Sequence, residues 1–168
     1  MTPFRRRRPG RRLPGPLLVS LPAVAVLCAA GCSGSGPAPR VAVPQPPKDQ
    51  VEVCRALHRE LPAKVGGQER NDPSPASDLT AGWGAGDASI VLRCGIPRPK
   101  EMSDPRSEAV EADGVNWLVQ QEPTSGQTFT TTYRAAYVQV SMGARFAQDG
   151  TPIAQFAAAV KKTDPSTV

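Results

Sequence analysis

The feature that most limits how this chain folds is a pair of cysteines, Cys54 and Cys94. The chain holds four cysteines. Cys28 lies inside an apolar N-terminal run and Cys32 at its exit, which leaves Cys54 and Cys94 in the part expected to fold. An even pair in an exported chain reads as a disulfide. Closing a loop of about 40 residues is valued at about 4 kcal/mol in the chain-entropy estimate. That is comparable with the whole net stability of a small domain.

The export reading rests on the N-terminus. Arg5, Arg6, Arg7, Arg8, Arg11 and Arg12 precede an apolar run from Leu17 to Ala30, with no acidic residue before Asp49. The run is about fourteen residues, broken by Pro22, against the roughly 20 that a spanning helix needs. A basic start, a short apolar centre and a small-residue exit are the marks of a signal peptide. Ala30-Gly31-Cys32 resembles the bacterial lipobox, with Ala29 where Leu is usual, so Cys32 is the expected site of acylation. Ordinary cleavage near Ala30, leaving a soluble secreted protein, is the alternative. The whole chain carries net charge +5. The leader holds six of the 20 basic residues and none of the 15 acidic ones, so the remainder is near neutral at −1. Nucleic-acid binding needs a folded basic face, and none is expected.

Residues 1–31 are therefore read as a lipoprotein-type signal peptide and residues 32–48 as a tether rich in Gly, Ser and Pro. Residues 49–162 are read as one folded domain and 163–168 as a tail. Pro biases the tether toward an extended form of about 3.1 Å per residue. Asp49 is placed to cap a first helix, with Glu52 completing a capping box. Val53, Leu57 and Leu61 recur at helical spacing until Pro62. Residues 64–77 and 98–112, polar and rich in Gly or Pro, read as loops. Ser89–Cys94, Val115–Gln121, Thr128–Tyr133 and Ala136–Met142 read as strands. Val115, Trp117 and Val119 share one face, as do Val138, Val140 and Met142. A final helix starts at Thr151-Pro152 and buries Ile153, Phe156, Ala157 and Val160. The expected fold is α+β: a mostly antiparallel sheet of about four strands, one disulfide, and the N- and C-terminal helices on one face.

Five stretches together resemble a known family. They are Val53-Cys54-Arg55-Ala56-Leu57 with Leu61-Pro62; Trp83-Gly84; Ile90-Val91-Leu92-Arg93-Cys94-Gly95-Ile96-Pro97; Gly114-Val115-Asn116-Trp117-Leu118; and Tyr137-Val138-Gln139-Val140. The family is the actinobacterial envelope group known as domain of unknown function 3515. The resemblance spans about residues 50–162 and implies a secreted or lipid-anchored protein; it implies no activity. Asn116 stands where the family pattern has Asp, and the stretch 84–89 is longer than the turn expected there.

The side chains able to do chemistry are few. His58, the single histidine, lies one helical turn from Cys54, the spacing of a Cys–His dyad. A disulfide at Cys54 turns that pairing into an inert one. Neither the cysteine spacing nor a second histidine supports zinc, and no nucleophile elbow is present. Gly82–Gly86 lacks the strand-to-helix setting of a nucleotide loop. Glu101, Asp104, Glu108, Glu111 and Asp113 do not follow an EF-hand spacing. Trp83, Trp117, Tyr133 and Tyr137 are either core residues or the lining of a groove, with Trp83, Trp117 and Tyr137 the candidates for contact with a ligand. No catalytic residue, cofactor or metal is expected. The reading is a non-catalytic interaction or assembly module on the outer face of the cytoplasmic membrane. Its partners are the membrane, through the lipid, and another envelope protein or a wall polymer. The alternative is a binding module for wall glycan or peptide, and a less favoured third is a small Cys/His enzyme.

Overall fold

The computed structural model describes residues 36–122 and 126–168. The expected signal peptide and the acylation site Cys32 lie outside them.

Helix α1 runs over Lys48–Glu60. Its buried residues, Cys54 and Leu57, lie three apart, on the face turned to the core. The capping box does not form: Pro47 takes the cap position without a side-chain bond, and Glu52 accepts from Arg55 at 3.2 Å instead. Leu61, just ahead of Pro62, is already extended. Next come two short strands, β1 (Lys64–Val65) and β2 (Gln68–Glu69). They are joined through Gly66 and Gly67 at φ +55° and +76°, the backbone of a tight mirror-image turn.

The main sheet has six antiparallel strands: β3 (Thr80–Trp83), β4 (Ile90–Cys94), β5 (Glu108–Ala112), β6 (Val115–Glu122), β7 (Gly126–Thr131) and β8 (Val138–Met142). Their order is β3-β4-β8-β7-β6-β5. After β4 the chain goes to the far edge and returns as a meander, which places β8 beside β4. The expectation of about four strands is thus corrected to six, with a separate two-stranded hairpin. The added strands are the two edges. β3 is four residues with a glycine inside it, and β5 reads EAVEA; neither shows a clear apolar alternation. Gly82-Trp83 therefore belongs to a strand and not to a loop.

The helices cover one face of the sheet. Ile90, Leu92 and Cys94 point there, joined by Val138, Val140, Met142, Val115, Trp117 and Phe129, as the two-residue period requires. The Cys54–Cys94 disulfide ties α1 to β4, with Cα atoms 5.5 Å apart. At the C-terminus the chain forms a 3₁₀ turn over Thr151–Phe156 before helix α2, Ala157–Thr163. Thr151 does not cap it. Asp149 accepts from both the amide and the hydroxyl of Thr151, at 3.0 and 2.6 Å. The apolar stripe is nevertheless buried, and Phe156 meets Trp83 edge-on at 5.3 Å.

The expected tether is in part attached to the domain. Ser74 N donates to Pro39 O at 2.9 Å, Val41 N to Ser74 O at 3.3 Å, and Asn71 Nδ2 to Gly36 O at 3.3 Å. Pro44 is buried. Pro46 lies over Gly95, where a Cβ would come within 2.5 Å of the proline ring.

Candidate functional site

The two sheet edges differ. At β3 a strap from residues 69–72 occupies the edge. Gly84 N donates to Glu69 O at 2.9 Å, Asn71 N to Gly82 O at 2.8 Å, and Gly82 N to Asp72 Oδ1 at 3.2 Å. Arg70 stacks its guanidinium over Trp83 at 5.0 Å, pairs with Asp72, and donates from Nη2 to His58 Nε2 at 3.0 Å. Guanidinium only donates, so Nε2 is the accepting nitrogen. His58 thus belongs to a stack that seals this edge. Cys54 is bonded to Cys94, so no free thiol stands beside the imidazole.

Trp83 and Trp117 have no solvent exposure. Trp83 donates its indole N–H to Pro62 O at 2.9 Å. Burying side chains of this size is among the larger single contributions to a small core. The groove expected from Trp83, Trp117 and Tyr137 does not form, because both indoles are core. Tyr137 does line a cleft, on the face of the sheet away from the helices.

That cleft, of about 470 Å³, lies between the β4–β5 connection and the β7–β8 turn. Leu118 and Ala109 form its floor, Tyr133 and Tyr137 one wall, Arg98 and Met102 the other, and Asn116 opens onto it. Leu118 points away from Trp117 and is 3% exposed, covered on that face by the β4–β5 connection rather than by α1 or α2. The wall opposite the tyrosines is held by its own bonds. Arg98 donates to Ser103 Oγ at 2.8 Å and to Met102 O at 3.1 Å, and Ser107 Oγ to Glu101 O at 2.6 Å. Hydrogen bonds from the Arg106 side chain and amide hold the Asp104 carboxyl below its usual range.

Tyr133 is 57% exposed and has φ +55°, a left-handed conformation rare for a bulky residue. Its surroundings impose it. Thr167 N donates to Tyr133 O at 3.0 Å, Ala135 N to Pro165 O at 3.1 Å, and Thr132 N to Asn116 O at 2.9 Å. Beneath it, Asp164 is fully buried and accepts from Ala136 N at 3.0 Å, while Arg134 donates to Asp164 O at 3.0 Å. Burial pushes the Asp164 carboxyl up to about 6, opposed by the Ala136 amide and the Arg134 charge. Left-handed backbone persists at a bulky residue when the structure around it over-determines it, and such residues cluster at functional sites.

Chemically the cleft offers two phenols, an amide, a guanidinium, the acidic residues Glu101 and Asp104, hydroxyls from Ser107 and Thr132, and an apolar floor. Those groups can donate and accept hydrogen bonds around an apolar floor. Among the described residues, no group of His, Cys, Asp and Glu is placed to hold a metal ion. The acidic stretch is dispersed: Asp104 pairs with Arg106, Glu111 accepts from Gly114 N at 2.7 Å, and Lys161 reaches Asp113 O. No helix among the described residues is long and apolar enough to cross a membrane.

The second edge, β5, lies in residues 98–112, where the sequence predicts a loop and the structure has a strand over Glu108–Ala112. Its signal is Asp113-Gly114, the dipeptide of a two-residue hairpin. The two residues have φ +50° and +78° between the paired Ala112 and Val115.

No curated protein and no solved structure matches the chain. A family model described as protein of unknown function (DUF3515) matches residues 13–167, and the chain belongs to that family.

Proposed function

We propose that this protein is exported, anchored by a lipid on Cys32, and acts as a non-catalytic interaction module at the outer face of the cytoplasmic membrane. The observation that carries the interaction reading is Tyr133: a large, exposed aromatic held in a left-handed conformation at the mouth of the Tyr137 cleft. The arginine-rich start, the apolar run and Ala30-Gly31-Cys32 support the address. The attachment of the tether segment at Pro39 supports it further. Seven Cα-to-Cα steps lead from Cys32 to Pro39, and at about 3.5 Å each they reach no more than roughly 25 Å. A domain so tethered works close to the membrane surface.

A photo-crosslinking residue in place of Tyr133, activated in intact cells, tests the interaction reading. A reproducible protein adduct supports it. Adducts to wall glycan or wall peptide alone would replace it with the second reading, a wall-binding module, which the phenols and Asn116 also favour. No adduct from Tyr133, with capture elsewhere on the surface, would overturn the cleft as the contact site. Labelled fatty acid tests the anchor: a Cys32→Ala protein should lose both label and membrane attachment, and equal labelling would overturn the lipid on Cys32.

A further inference from the structure

We infer that the β5 edge is a strand-addition site for an extended, basic peptide segment of a partner protein. The inference deepens the reading of the domain as an interaction module. Asp113-Gly114 closes a two-residue hairpin, so Ala112 and Val115 form a hydrogen-bonded pair. The alternation that follows turns the amides and carbonyls of Glu108, Val110 and Ala112 toward β6. Those of Ala109 and Glu111 point outward. Among the described residues no other strand covers this edge, whereas the strap at β3 satisfies the outward groups of Gly82 and Gly84. A bare edge of this kind is the template used in strand addition.

Both faces beside the edge are hollow. On the helix-free face lies the tyrosine cleft, with Ala109 in its floor. On the helix face a second cavity of about 480 Å³ is bounded by Val110, Val119, Phe129 and Ile153. Val110 is 38% exposed there. Side chains of an added strand alternate between the two faces. The residue across from Val110 enters this second cavity, which Glu108, Gln121 and Gln127 also line, and its neighbours lie over the tyrosine cleft. Charge selects the partner. Glu108 and Glu111 lie on either side of Val110 on the edge strand itself. Cross-strand pairs of opposite charge are favourable and like charges opposed. A second copy of this chain would bring the same glutamates against these, which disfavours pairing of β5 with itself.

The test uses the full protein and two fluorescent peptides containing Thr-Lys-Val-Thr-Lys or Thr-Glu-Val-Thr-Glu, with anisotropy for binding and amide exchange for site. The basic peptide should bind at least tenfold tighter than the acidic one and slow exchange at Ala109 and Glu111. Ala109→Pro removes an outward N–H without touching the β6 ladder and should cost tenfold or more in binding. Glu108→Lys should reverse the charge preference. Unaltered binding in Ala109→Pro, no charge preference, or no binding of either peptide would overturn the edge site. A Tyr133 protein adduct that survives Ala109→Pro would then leave the interaction module standing without this edge. A dimer abolished by Ala109→Pro would overturn the peptide in favour of a second copy.

Discussion

The β3 and β5 edges belong to one sheet and are both short, yet the chain treats them in opposite ways. At β3 it invests residues 36–47 and 64–75, a guanidinium stacked on Trp83, and hydrogen bonds to the outward groups of Gly82 and Gly84. At β5 it supplies a two-residue turn and leaves Ala109 and Glu111 facing out. Unpaired edges invite association, and proteins usually blunt them. The glutamates of β5 blunt it against its own kind while leaving it available to a basic strand. The closed edge reads as architecture and the open one as an interface.

The largest expected effect falls in the closed half. Replacing Cys54 and Cys94 by Ser together should cost about 4 kcal/mol, seen as a lower denaturant midpoint with a steeper slope, because the chain without the crosslink exposes more surface when unfolded. The strap and α1 should lose exchange protection before β6 and β7. Equal loss everywhere would mean that the two halves do not differ in local stability.

Gly82→Ala attacks the closed edge itself. A Cβ there would lie 2.4 Å from Asn71 O and 3.2 Å from Pro73 Cδ. The strap must lift, at about 2–3 kcal/mol for overpacking of this kind. The variant should self-associate more than the parent in sedimentation, because the lifted strap bares β3. A monomer of unchanged stability would show that the strap is not needed there.

Asp164 lies beneath the tyrosine turn, in the open half. Its folded value, about 6, is above the ordinary 3.8 of a free aspartate. The native state therefore keeps a proton that the unfolded chain releases. The stability contributed is complete below about pH 4 and is lost as pH rises through about 6. The loss is at most about 3 kcal/mol and smaller where solvent screens the group. Asp164→Asn keeps an acceptor for Ala136 N and should flatten the melting temperature between pH 4 and 7. An unchanged slope would remove Asp164 as its source. The smallest effect belongs to Ala109→Pro, expected to change stability by under about 1 kcal/mol because the N–H it removes points outward. A larger loss would mean that the amide is already paired.

What the sequence made legible followed chemical strength. The disulfide, the inner strands at Ile90–Cys94 and Val138–Met142, and the buried stripe Ile153, Phe156, Ala157 and Val160 all appear as read. Period-two burial and even cysteines leave unambiguous marks. The edges left weak ones. β3 carries a glycine because Asn71 lies against it, and β5 is polar because one side of it faces water. Only Asp113-Gly114 announced β5, and it followed a stretch whose prolines pointed to a loop. For the site, Tyr137 and Asn116 were within reach as single residues. Their meeting with Tyr133 and Arg98 depends on the crossing from β4 to the far edge, which no local pattern specifies. Trp83 and Trp117 were drawn into the candidate groove for their chemistry, and packing placed both in the core.

Amide hydrogen exchange on the unliganded protein tests the contrast between the edges most directly. Gly82 and Gly84 should exchange slowly, held by Asp72 and Glu69, while Ala109 and Glu111 exchange at the rate of open, solvent-facing amides. Slow exchange at Ala109 and Glu111 without a partner, or fast exchange at Gly82 and Gly84, would contradict one closed edge and one open one.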